Sequence, residues 1–107
     1  MDTITRDDIV AGKEYTPKPG TRYEIAPGII ATLKPDTFET IEAFDAIPNE
    51  DRRPFDIVYD RLQVVVTVPD GFNNWKGVSS VVAWRVVEDF LRIVAPVVKQ
   101  PSESSTT

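Results

Sequence analysis

The chemistry open to this chain is set by seventeen acidic side chains and by the complete absence of histidine and cysteine. Glu39, Glu42 and Asp45 recur at i, i+3 and i+6 of a predicted helix, and Asp56 and Asp60 at i and i+4. Carboxylates so spaced can ligate a hard cation such as calcium. They can also act as an acid–base pair where a pocket perturbs one of them. No Asp-x-Asp-x-Asp-Gly loop accompanies them, and the same spacing is what a solvated helix face shows. Without histidine the chain lacks the commonest general base and metal ligand. Without cysteine it has no disulfide, no thiol nucleophile and no Cys-ligated zinc. Its serines stand at a helix start or near the end of the chain, with no base to activate them. Neither a Walker loop nor a Gly-x-Gly-x-x-Gly turn is present, and "PDGFNNWKG" has glycines without phosphate-binding spacing. The expectation is no catalytic residue, no cofactor and no metal ligand, hence no enzyme.

Binding leaves clearer marks. Trp75 lies between Gly71 and Gly77 on a predicted loop that also carries Phe72 and Lys76. Tryptophan is enriched among interface hot spots, although a loop tryptophan also serves as a lid over its own core. The loop runs into a helix whose polar positions, Arg85, Glu88, Asp89 and Arg92, form one narrow stripe. Glu88 and Arg92 are spaced as an i,i+4 ion pair. Trp84 and Val87 border the stripe and are expected to face solvent or a second chain. The predicted partner-binding surface is therefore Phe72, Trp75 and Trp84, with Lys76 and Arg85 as a basic rim.

Charge narrows the partner. The net charge is −5, a poor match for nucleic acid, whose affinity comes mainly from Lys and Arg on phosphates. The segment from Asp36 to Asp60 holds eight acids against two bases, so the acidity is a local property of mid-chain. No apolar run reaches about 18 residues, so no membrane span is expected. The opening "MDTITRDD" is polar and acidic, unlike a secretory signal. A cytoplasmic or virion setting, with no secretion, fits these features.

The elements that must position these residues follow from periodicity. "TITRDDIVAG" predicts one helical turn, capped by Thr5, with Asp7 and Asp8 in its first turn and Gly12 stopping it. The prolines of "TPKPG" favour extended chain, and residues 1–20 read as a flexible arm with little core of its own. "TRYEIAPGIIATL" predicts a β-hairpin, with Tyr23 and Ile25 on one strand, Ile29, Ala31 and Leu33 on the other, and Pro27-Gly28 as a type II turn. "DTFETIEAFDAI" predicts a helix over residues 37–47, capped by Asp36 or Thr37, with an apolar face of Phe38, Ile41 and Phe44 or Ala43. From Phe55 to Val68 two readings stand. As a strand, the parity flips near Asp60-Arg61 and needs a bulge. As a helix, Phe55, Val58, Tyr59, Leu62, Val65 and Val66 form one unbroken stripe, and Pro54 suits its first turn. The helix is favoured. Ser79 or Ser80 caps the last helix, which Pro96 is expected to end near Ala95. The fold class is α+β: one small domain over residues 21–98, an N-terminal β-hairpin followed by about three helices, then a polar tail over residues 99–107.

The run from Tyr23 to Ile25, Ile29 to Leu33 and "KPDTFETIEAF" (Lys34 to Phe44) resembles small tail-assembly chaperones of long-tailed bacteriophages. These pair a short β-hairpin with a proline-marked hinge and an acidic helical remainder. The proline-rich opening and the valine-rich last helix depart from that pattern. The resemblance implies a phage-encoded accessory protein that binds another protein, such as a phage structural protein or a further copy of itself. The alternative is a small acidic inhibitor whose mid-chain segment occupies a basic site on a host protein.

Overall fold

A computed structural model of the chain describes the backbone of residues 3–106 and the side chains of residues 3–95. Its centre is the hairpin of β2 (Arg22–Ala26) and β3 (Ile29–Leu33). Gly28 takes the positive φ of +75° that a type II turn needs at its third position. A bulge between Glu24 and Ala26 shifts the register. Tyr23, Ile25, Ala31 and Leu33 are all buried on one face of the pair.

Two short strands complete a four-stranded sheet in the order β1-β2-β3-β4. β1 (Thr3–Ile4) lies parallel to β2, and β4 (Val66–Thr67) antiparallel to β3. A parallel neighbour requires a crossover, and residues 5–21 supply it through the helix α1 (Arg6–Val10). α1 carries a complete capping box. Asp8 donates its backbone N–H to the Thr5 hydroxyl at 3.1 Å, and Thr5 donates its own to Asp8 Oδ2 at 3.0 Å. The segment expected as a loose arm thus places Ile4 in the core and Tyr15 against it. Its few apolar residues fall where a strand edge and a helix flank await them.

Three further helices follow, α2 (Phe38–Asp45), α3 (Pro54–Val65) and α4 (Ser80–Thr106), with α4 lying on β2, α3 on α4 and α2 on α3. The architecture is the predicted α+β domain, with strands added on both sides of the hairpin. Thr37 caps α2 through its side chain. Of the predicted face of α2, Phe44 is buried and Ile41 packs against the core, but Phe38 does not join them. Thr40 and Phe44 turn inward, while Phe38 is 84% exposed. Thr40 and Phe44 are four residues apart and share a face, whereas Phe38 stands about 200° round the helix from Thr40.

α3 follows the helical reading of Phe55 to Val68, with Pro54 in its first turn. Val58, Leu62 and Val65 are buried. The β-branched run then leaves the helix at Val66, whose extended φ/ψ opens β4. Ser79 caps α4, its hydroxyl accepting from the Val82 N–H at 3.3 Å. Val82, Ala83, Val86, Val87 and Phe90 fill the centre of the molecule, with Phe90 packed at 5.3 Å from the Phe44 ring. Val87, predicted at the solvent border, is buried.

The backbone of α4 stays helical through Pro96 to Thr106, so the predicted end near Ala95 is not observed. A proline deletes one i→i−4 bond and bends the helix without forcing the chain out of it. The polar side chains of residues 99–107 lie outside those described. Among the described residues, no helix is long and apolar enough to cross a membrane.

Candidate functional site

Two places on α4 stand out, one against expectation and one in line with it. The first is Asp89, predicted on the solvated stripe and found with no exposed surface. Tyr15 and Tyr23 both donate their hydroxyls to its Oδ2, Tyr23 at 2.7 Å. Arg85 Nε donates to Oδ1 at 3.2 Å, and Arg92 Nη1 approaches the same oxygen at 4.0 Å. The predicted Glu88–Arg92 pair gives way to these contacts. Arg85 also lies 5.2 Å from the Tyr15 ring centroid, so it is a structural cation of this cluster, with its side chain only 24% exposed.

Burial, then the hydrogen bond to Asp89 and its charge, pushes the Tyr15 phenol up to about 12, with Arg85 opposing. The same causes, again led by burial, raise Tyr23 above its ordinary value. Both phenols are thereby kept as donors. A carboxylate closed off by two tyrosines and an arginine has no surface to offer a substrate, and the cluster serves as an internal clasp. An open cleft of about 620 Å³ lies above it, lined by Lys13, Tyr15, Arg85 and Arg92. Lys13 is already drawn to Asp8 at 3.8 Å.

The second place is apolar and exposed. Trp84 on α4 packs edge-on against Phe55 in the first turn of α3, ring centroids 5.0 Å apart. Phe55 is 61% exposed and Trp84 37%. Leu91, two turns along α4 from Trp84, is 40% exposed. On the other side of Phe55, Trp75 and Phe72 meet edge-on at 5.0 Å. Trp75 opens a 3₁₀ turn, Trp75–Gly77, and is half-buried against the core.

Of the predicted partner-binding residues, Phe72 and Trp75 therefore stand together, and Trp84 stands apart from them. Phe55 lies between the two groups and borders a cavity on each side. One, of about 260 Å³, is lined by Phe55, Tyr59, Leu62, Trp75, Lys76 and Ala83. The other, of about 340 Å³, is lined by Ile9, Phe55, Val81, Trp84, Arg85 and Glu88. Lys76 is exposed, its ammonium 4.2 Å from the Tyr59 ring centroid. Phe55 was read as part of the buried stripe of α3. Its neighbours carry a signal to the contrary, because Arg53 and Asp56 form an exposed pair at 2.9 Å around that first turn.

The charges of this face are largely paired, Arg53 with Asp56 and Arg52 with Asp60 at 2.6 Å. Arg53, hydrogen-bonded to Asp56, holds that carboxyl below its usual range. Burial opposes the shift, and the charges of Arg52 and Lys76 add to it. Among the described residues, no group of three or more acidic side chains is placed to hold a metal ion. Glu39, Glu42 and Asp45 are all exposed on α2. No protein-family model, no curated protein and no solved structure matches this chain.

Proposed function

We propose that this chain is a non-enzymatic protein-binding module, and that its partner is a structural protein of a bacteriophage particle met during assembly. The reading rests above all on the exposed Phe55–Trp84 pair. Two large aromatic rings held edge-on across two helices offer wide contact area at little rotamer cost. An exposed apolar patch rimmed by charge is the usual mark of an interaction surface. Trp75 and Phe72 extend the patch past Phe55, and Leu91 extends it along α4. The assembly setting is taken from the sequence resemblance, which implies the host cytoplasm or the particle as its location.

The test is capture from the native source. A tagged chain carrying Phe55→Asp should lose the partner that the unmodified chain retains, with an unchanged melting temperature, because Phe55 is exposed. Retention by that variant, with loss as salt is raised, would instead favour an acidic inhibitor acting through residues 36–60.

A further inference from the structure

Among the described residues, two large exposed apolar side chains, Val10 and Phe38, lie outside this surface, and Phe38 is the larger and the more exposed. Phe38 is 84% exposed at the start of α2, and Asp36, Glu39 and Glu42 around it are exposed too. It is an aromatic knob on an acidic collar. A matching socket exists elsewhere on the molecule. The cavity of about 260 Å³ beside Phe55 is lined by Tyr59, Leu62, Trp75 and Ala83, with Lys76 and Asp56 as its charged residues. That volume falls just short of the roughly 300–1,000 Å³ of small-molecule pockets, and suits a single side chain.

The charges at the two places are opposite. Asp56 at the socket is held by Arg53 in a two-bond pair and Arg52 is paired with Asp60, so among the described residues Lys76 is the cation left over there. No base lies between Asp36 and Asp45. The socket uses the Phe55, Tyr59 and Leu62 face of α3. α2 borders the other side of α3, where Arg61 covers the Phe44 ring at 4.5 Å and Gln63 and Val64 share a cleft with Thr40 and Ala43. Knob and socket of one copy therefore face apart.

We propose that a second copy of this chain inserts its Phe38 into this socket, with Asp36 and Glu39 against Lys76. The contact joins two different surfaces, so each docked copy leaves a free knob at one end and a free socket at the other. Such head-to-tail contacts propagate into a ring or an open filament rather than stopping at a dimer. The proposal rests on the binding-module reading and names one partner for its surface.

Sedimentation of the purified chain tests it. The unmodified protein should rise in average mass above 12.0 kDa with concentration. Phe38→Ala and Lys76→Glu, both at exposed positions that leave the fold intact, should each stay at 12.0 kDa. Mixed in equal amounts they should form a two-chain species and go no further, since one supplies only a socket and the other only a knob. An unmodified chain that stays at 12.0 kDa throughout overturns the proposal. So does a Phe38→Ala chain that associates as the unmodified one does, or a mixture that stays apart. A monomeric chain that still captures a phage structural protein through Phe55 would sink self-assembly alone and leave the binding module standing.

Discussion

Asp89 and Trp84 lie five residues apart on the same helix, and the polar one of the two is the one that is buried. The carboxylate is sealed inside and the indole is out. What separates them is the supply of partners. Asp89 meets two phenols and a guanidinium, enough to replace the water it loses. Trp84 meets one ring, Phe55, which is itself exposed. Burial on α4 is decided by what the rest of the chain brings to each position, and only loosely by the polarity of the residue standing there.

That contrast can be broken from either end. Asp89→Ala should have the largest effect. It leaves Tyr23 and Arg85 facing an emptied site, and removing one member of a buried ion pair costs about 3–5 kcal/mol. Urea unfolding would read the loss, and a loss within about 0.5 kcal/mol would mark Asp89 as a surface residue. Tyr23→Phe removes one donor to a charged acceptor and should cost about 1.5–3 kcal/mol by the same measurement.

A gentler probe is alkali. Above pH about 10 the unfolded chain's tyrosines ionise, while Tyr15 keeps its proton to about 12 and Tyr23 is raised as well. The unfolded state then binds fewer protons than the folded one, so stability falls as pH rises through that window. Urea midpoints compared across it should decline, and the decline should be shallower in Tyr23→Phe. A flat profile would mean the phenols are free to ionise in place. Smallest of all should be Phe55→Ala, under about 1 kcal/mol in stability, yet with partner binding lost. A large stability loss there would turn the aromatic face into core.

Local pattern carried much of this. The hairpin was legible because Tyr23, Ile25, Ala31 and Leu33 alternate around Pro27-Gly28, and turn chemistry acts within four residues. α3 was legible because Val58, Leu62 and Val65 repeat at helical spacing. The caps at Thr5, Thr37 and Ser79 were legible for the same local reason. Periodicity names a face, however, and not what covers it. Phe38 and Phe55 carry apolar side chains in the first turns of their helices, beyond the reach of the core, and Phe55 meets only another exposed ring. Trp84 was placed at a border correctly, but the ring it meets comes from another helix. Asp89 was hidden because its donors, Tyr15 and Tyr23, lie far away in the sequence, and no spacing rule links a stripe on α4 to a tyrosine in the opening segment.

The hydroxyls of Tyr15 and Tyr23 reach Asp89 across 74 and 66 residues of chain, which bears on the order of folding. Contacts of such separation close late, after the entropy of a long loop has been overcome. During synthesis the hairpin and the first two helices emerge well before Asp89 does. Until α4 arrives, Ile25, Ala31 and Leu33 have little to lie on, and a two-stranded hairpin by itself is marginal. The growing chain therefore stays open for most of its length and commits in a single late step, when the last helix brings its carboxylate to the waiting tyrosines.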